Sequence, residues 1–248
     1  MSDRRPFDPD RRALLGAGGA LLAATALPFP AFAQSSGAAK MRIGIIGSGK
    51  IGGTVGSLWV KAGHEVMFSS RHPEELKDLV AVLGKLAHAG TVAQAVAFAN
   101  TLFVAIPYGA LPQLGQDYGA QLKSKIVLDA GNANAARDDA IADEVEKNGI
   151  GVTSQKYLPG THLVRAFNTL SYLILQREAN RPPPRMAIPI AGDDPAAVKV
   201  AAQLVSDAGF DPVVAGSLAK ASEFQRGGPG YGQAVTSPEL RQILHLAP

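Results

Sequence analysis

Residues 41–52 read MRIGIIGSGKIG, and the reading of this stretch decides the fold. Ile43, Ile45 and Ile46 make the short apolar run of a strand buried on both faces. Gly47, Gly49 and Gly52 then form G-x-G-x-x-G. In a strand-to-helix turn the first glycine permits a tight bend and the second leaves room for a pyrophosphate to approach the backbone. The third lets the new helix pack closely on the strand. The N-terminus of that helix offers unpaired N–H groups and a positive dipole end to an anion.

The flanking sequence supports this turn. Ile51, Val55, Leu58, Trp59 and Ala62 recur at helical spacing, Gly63 ends the helix, and His64 to Ser69 reads as a second strand. The unit is βαβ, of the length a parallel crossover needs. Alternation continues along the chain. Pro73 to Leu83 reads as a crossover helix, Lys85 to Ala89 as a short strand and Thr91 to Ala99 as a helix capped by Thr91. Thr101 to Ile106 reads as a central strand ended by Pro107, Ala110 to Leu122 as a helix, and Lys125 to Asp129 as the next strand. Arg137 to Asn148 is a charged amphipathic helix, and strands at His162 to Phe167 and Met186 to Ala191 flank a helix from Thr169 to Arg177. Asp194 caps a helix through Asp207 with Pro195 at its first position, Asp211 to Ala215 is the last strand, and Ser217 to Gln225 is helical. The expected fold class is α/β: a Rossmann-type, doubly wound, mostly parallel sheet in a single domain over residues 41–225. Residues 226–248, with Gly227-Gly228-Pro229-Gly230, are expected to form a flexible C-terminal segment.

The end of the second strand bears on the choice of dinucleotide. A site that prefers NAD carries Asp or Glu there for the ribose 2′-hydroxyl, and this chain has Ser69-Ser70-Arg71-His72. A carboxylate would repel a 2′-phosphate, whereas Arg71 can bind one by two charged hydrogen bonds and Ser70 can donate another. The expected cofactor is NADP. The bland alternative is a solvated arginine before the helix that Pro73-Glu74-Glu75 begins; His72 either stacks on adenine or faces water. Ile106 and Pro107, at the carboxyl end of a central strand, are expected to floor the nicotinamide-ribose half. Asn132 and Asn134 end another strand, where an Asn can bond a carboxamide or ribose hydroxyl or close its own turn, the better reading for Asn134.

Composition narrows the function classes. The 248 residues are 46% apolar and 18% charged, enough for one buried α/β domain. Beyond residue 34 the chain carries 20 basic and 18 acidic residues, too balanced for a nucleic-acid surface. Cysteine is absent, which removes disulfides and thiolate chemistry, and the five histidines never pair at metal-ligand spacing. Residues 1–33 carry Arg11-Arg12, an apolar run from Ala13 to Leu27, and Ala31-Phe32-Ala33. They resemble a twin-arginine secretory signal cleaved before Gln34, with Asp10 where a serine or threonine is usual. Fifteen residues with three glycines are short for a membrane anchor, so no stable insertion is expected. Residues 34–40 form a linker, and the mature protein is expected in the periplasm or secreted, with a homodimer as an open option.

Read together, Ile45-Ile46-Gly47-Ser48-Gly49-Lys50-Ile51-Gly52, Ser70-Arg71-His72, Ala105-Ile106-Pro107, Arg165-Ala166-Phe167-Asn168-Thr169 and Pro189-Ile190-Ala191-Gly192-Asp193-Asp194 resemble the NADPH-dependent coenzyme F420 reductase family. That family is related to the nucleotide domains of metalloreductases and to the N-terminal half of pyrroline-5-carboxylate reductase. The resemblance implies pyrophosphate contacts at Gly47, Ser48, Lys50 and Ile51, and 2′-phosphate contacts at Ser70 and Arg71. It implies a nicotinamide end lined by Ile106, Pro107, Asn132 and Asn168. Gly227 to Gln233 departs from the apolar C-terminal end of F420 reductases.

No Tyr-x-x-x-Lys pair, His-Asp pair or helical-domain lysine stands out as a proton donor; Lys156 and Tyr157 are adjacent rather than four apart. That pattern fits hydride transfer between two stacked rings, with a small-molecule redox partner such as a flavin or deazaflavin. The alternatives are a non-catalytic NADPH-binding sensor or scaffold, and a metal-chelate reductase that works through a separate flavin.

Overall fold

The computed structural model describes residues 40–247; the expected signal sequence, and the linker apart from Lys40, lie outside the described residues. In chain order the elements are β1 (Arg42–Ile46), α1 (Lys50–Lys61), β2 (Glu65–Ser69), a 3-10 turn (Pro73–Leu76) leading into α2 (Lys77–Leu83), β3 (Ala87–Gly90), α3 (Val92–Phe98) and β4 (Thr101–Val104). A 3-10 turn at Tyr108–Ala110 then precedes α4 (Leu111–Leu122), β5 (Ile126–Asp129), α5 (Ala135–Asn148), α6 (Ile150–Tyr157) and β6 (His162–Arg165). The chain closes with α7 (Tyr172–Glu178), β7 (Ala187–Gly192), α8 (Pro195–Asp207), β8 (Asp211–Gly216), a 3-10 segment (Leu218–Phe224) and α9 (Ser237–Ile243).

The strands form one eight-stranded sheet in the order β3-β2-β1-β4-β5-β6-β7-β8. Pairing is parallel except between β6 and β7. This is the expected doubly wound α/β arrangement, and strand order reverses between β1 and β4. Open α/β sheets bind ligands outside the carboxyl ends of the strands at that point. Both faces are covered, so successive residues of β4 and β5 enter opposite cores. Phe103 and Leu128 pack on one side, and Leu102, Val104 and Val127 on the other.

The first core is organised by aromatic edges. Trp59 meets Phe103 at 5.1 Å and Phe167 at 5.8 Å between ring centroids, and Phe167 meets Phe210 at 6.3 Å, all edge-on. The indole Nε1 of Trp59 donates to the Leu204 carbonyl at 2.8 Å, which ties α1 to α8. Buried His64 makes a parallel tie: Nδ1 accepts from the Met41 amide at 3.1 Å, and Nε2 lies 2.9 Å from Asp207 Oδ2.

The structure departs from the sequence reading in several places: besides strands that end earlier than Ile106 and Phe167 and a 3-10 segment where Ser217 to Gln225 was expected to be helical, four differences concern whole elements. The crossover helix expected from Pro73 starts as a 3-10 turn and becomes α-helical only at Lys77. The helix expected from Thr169 starts at Tyr172 under a Ser171 cap, because residues 166–170 are buried in the turn that leaves β6. Helix α6 was not anticipated; it is split from α5 at Gly149, where φ is +81°. The segment expected to be flexible after residue 225 instead contains α9, which is fastened to the sheet. Thr236 and Glu239 form a capping box, Leu240 and Leu244 are buried, and the Val235 carbonyl accepts from the Ala187 amide at 2.9 Å.

Trp59→Phe keeps the edge-on packing and removes the donor to Leu204, so unfolding free energy should fall by about 1 to 2 kcal/mol in urea titrations with an unchanged slope.

Candidate functional site

The glycine loop joins β1 to α1 beside the strand-order reversal. Gly47 has φ +94°, and a Cβ there would sit 2.7 Å from the Ala105 carbonyl oxygen; a Cβ on Gly52 would sit 2.0 Å from the Gly47 carbonyl oxygen. Those two glycines are demanded by the protein itself. Gly49 is different: a Cβ at this position would meet no protein atom within 4 Å, and its extended backbone (φ −73°, ψ −154°) lies outside the left-handed region that favours glycine. Gly49 is also the N-cap of α1, which has no side-chain cap and no acidic residue in its first turn. The Ser48 amide donates to the Ser69 carbonyl at 3.0 Å, while Ser48 Oγ is buried with no partner among the described residues. An uncapped 12-residue helix, an open Gly49 and an orphaned hydroxyl fit a bound pyrophosphate.

At the end of β2, Ser69 is consumed internally, its hydroxyl donating to the Ile45 carbonyl at 2.6 Å. Ser70 Oγ accepts from the His72 amide at 3.1 Å, which leaves its own proton for another acceptor. Arg71 is exposed and forms no ion pair with a described residue; His72 is exposed, its ring 3.5 Å from the Glu74 carboxylate.

A cleft of about 320 Å³ opens between the ends of β4 and β5. Lys50 and Ile51 line one side, Ile106 and Pro107 the floor, and Gly131 and Asn132 the other side. Asn168 does not line it: it is buried behind Asn132, donating from Nδ2 to Asn132 Oδ1 at 3.2 Å and to the Phe224 carbonyl at 3.0 Å. Asn132 Nδ2 in turn donates to the Asn168 carbonyl at 2.6 Å. Between Arg165 and Asn168 the chain passes through Phe167 at φ +60°, a costly conformation for a bulky residue that the aromatic core holds in place. Asn134 closes its own turn as read from sequence, Oδ1 accepting from the Ala136 amide at 3.1 Å. A separate groove of about 600 Å³ runs from Ser48 over α1 toward Leu79 and Tyr172.

Sequence reading missed two lining cations, Arg137 and Arg226. It also missed the buried groups that hold the cleft walls. Asp138 is the staple of one wall: Oδ1 accepts from the Gly109 amide at 3.1 Å and from Arg137 Nε at 2.8 Å, and Oδ2 from the Asn134 amide at 2.8 Å. It thereby joins the turn after Pro107 to the loop after β5. Beneath the floor, Tyr108 is buried with its hydroxyl 2.9 Å from Ser154 Oγ, and burial, then Asp129, pushes its pKa up. Lys156 and Tyr157 both bond Glu144 at 2.7 Å and do not line the cleft. Only Arg137 forecast Asp138's role, as an adjacent opposite charge.

The Arg137 hydrogen bonds hold the Asp138 carboxyl below its ordinary range against the effect of burial, with the Asn134 and Gly109 amides assisting. A carboxylate lowered on folding contributes stability that is complete above its unfolded pKa near ~3.9 and is lost as pH falls through the folded value. The unfolding midpoint should therefore drop on acidification below about pH 4, and Asp138→Asn should flatten that limb in thermal melts at stepped pH.

Residues 42–133 match the model of the family described as NADP oxidoreductase, coenzyme F420-dependent. Metalloreductase STEAP3 of Rattus norvegicus is 29% identical over 194 residues, which cover 74% of this chain and 36% of that protein. The chain thus spans about a third of the length of the curated relatives it matches. Among solved structures, a hypothetical protein from Sinorhizobium meliloti superposes with a TM-score of 0.68 at 26% identity, over 80% of this chain and 96% of that one. An Arthrobacter sp. FB24 protein described as a candidate F420-dependent NADP-reductase superposes with a TM-score of 0.62 at 23% identity, over 73% and 87%. The matched segment carries the glycine loop, Ser70-Arg71 and the Ile106-Pro107 floor, and over it this chain is similar to the coenzyme F420-dependent NADP oxidoreductases, which supports NADP as its cofactor.

Proposed function

We propose that this protein moves hydride between NADP(H) and a flavin, a deazaflavin or another two-electron acceptor. The observation that carries this reading is the lining of the 320 Å³ cleft: its ionisable members among the described residues are Lys50, Arg137 and Arg226, with no carboxylate, histidine or tyrosine, and the Lys50 ammonium sits 5.1 Å over the ring of Tyr172, which lines the separate groove. The nearest tyrosine, Tyr108, faces Ser154 and the Ile150 carbonyl beneath the floor. A carbonyl or imine reduction needs a proton beside the hydride, whereas a ring that accepts hydride directly asks the protein for alignment and exclusion of water.

In this reading the backbone of residues 47–52, with Lys50, holds the pyrophosphate. Ser70 and Arg71 hold the 2′-phosphate, and His72 covers the adenine. Ile106 and Pro107 support the nicotinamide face, Asn132 meets its ribose or carboxamide, and Asn168 acts through Asn132. When bound, the nicotinamide supplies or takes the hydride at its C4. The likeness to the rat metalloreductase favours a second reading, ferric-chelate reduction through a separate flavin. The Arg11-Arg12 and Ala31-Phe32-Ala33 signals support export of the folded protein, with cofactor loaded beforehand.

Gly49→Ala, whose methyl meets nothing in the protein and whose N-cap cost is at most about 1 kcal/mol, should lower the melting temperature only slightly yet weaken NADPH binding; Gly52→Ala should lower both sharply. Arg71→Glu should reduce the preference for NADPH over NADH by about two orders of magnitude, the loss of a charge-assisted pair plus repulsion. Titration by NADPH fluorescence reads each outcome. If NADPH-loaded protein reduces none of flavin mononucleotide, coenzyme F420, a quinone and a ferric chelate, the hydride-transfer proposal fails and a binding-only role takes its place.

A further inference from the structure

Gly131, on the cleft wall, is gripped by one buried ion pair through its N–H and its carbonyl, which belong to the two successive peptide units on either side of its Cα. Asp129 Oδ1 accepts the Gly131 N–H at 2.8 Å, and Arg165 Nη2 donates to the Gly131 carbonyl. Through Nη1 the same guanidinium pairs with Asp129 Oδ2, which also accepts from Ser154 Oγ at 2.8 Å. Both side chains are wholly buried and neither lines the cleft. A buried pair is weak evidence of added stability, because desolvation offsets the attraction. Arg165 Nε, moreover, is buried with no partner among the described residues, so burial of the cation is incompletely compensated.

What the pair does uniquely is orient these two peptides. The following residue is held as firmly: the Asn132 carbonyl accepts from Arg137 at 3.2 Å and its side chain is reciprocally bonded to Asn168. The amide of Asn132, which lines the cleft, in contrast donates to no described residue. The loop thus presents a free donor beside Gly131 and Asn132 backbone groups that are otherwise bonded, which is preorganisation for a polar ligand.

We propose that Arg165 is a positioning residue for the nicotinamide half of NADP: it holds the Gly131-Asn132 peptide, and Asp129 the peptide before it, in the orientation that this half requires. The adenosine half, bound at the ends of β1 and β2, does not depend on it. This rests on the reading that the cleft receives the nicotinamide.

The test separates the two halves with two ligands on the full-length protein. NADPH reports on both, through binding and through the emission of its reduced ring; adenosine 2′,5′-bisphosphate reports on the adenosine half alone. Arg165→Met by itself would strand Asp129 in the core, so the variants are Arg165→Lys, which keeps the charge but lacks the planar fork, and the double variant Asp129→Leu/Arg165→Met, which removes both charges. In each, the bisphosphate dissociation constant should stay within about twofold of wild type while that for NADPH rises on the order of tenfold and its bound emission falls. Equal weakening of both ligands, no weakening of either, or failure of both variants to fold would show a general structural element and overturn the proposal. Wild-type protein that binds the bisphosphate without altering NADPH emission would overturn the cleft assignment and this proposal with it.

Discussion

The first turn of α1 lies almost on the backbone of the strand before it, and most of the molecule is arranged to permit that approach. With the Gly47 carbonyl 2.0 Å from where a Gly52 Cβ would stand, helix and strand can meet only through glycine. The contact places an uncapped helix N-terminus at the strand-order reversal, where the ends of β1, β2 and β4 converge. The aromatic cluster of Trp59, Phe103, Phe167 and Phe210 lies on the same face of the sheet as α1 and holds that helix to α8. Rigidity in the cofactor loop is therefore inherited from apolar packing several residues away.

The cleft at the ends of β4 and β5 is built by a different principle. Its walls are loops, and loops gain definition from polar staples rather than from area buried. Asp138 ties the turn after Pro107 to the start of α5, the Arg165–Asp129 pair grips Gly131, and Asn168 braces Asn132 against the last 3-10 segment. Each staple withdraws a charge or amide from water, a cost that pays only where geometry matters. The left-handed Phe167 is part of the same compromise: its ring serves the aromatic core while its backbone turns Asn168 toward Asn132.

The two ends also differ in what their glycines serve. Gly47 and Gly52 answer to the protein's own backbone, and replacing either would disturb the fold. A Cβ on Gly49 would meet no protein atom, so beyond its place at the N-cap its lack of a side chain leaves open space beside the helix N-terminus. The contrast divides one motif into two glycines that the fold requires and one that it leaves open, and the orphaned Ser48 hydroxyl lies beside the second.

Much of this was legible in the residues alone because it is governed by near neighbours. Apolar runs, the glycine spacing, Thr91 and Asp194 as caps, and Ser70-Arg71 at a strand end are patterns of a few consecutive positions whose physics does not depend on the rest of the chain. The capping box at Thr236 and Glu239 was equally local, but its glycine-rich approach obscured it. What only the tertiary structure decided were pairings across 29 to 56 positions: Asp138 with Gly109, Arg165 with Gly131, Asn168 with Asn132 and with Phe224. No spacing rule foretells them, because they exist only after the sheet has set β4, β5 and β6 side by side and buried the groups that must then find partners.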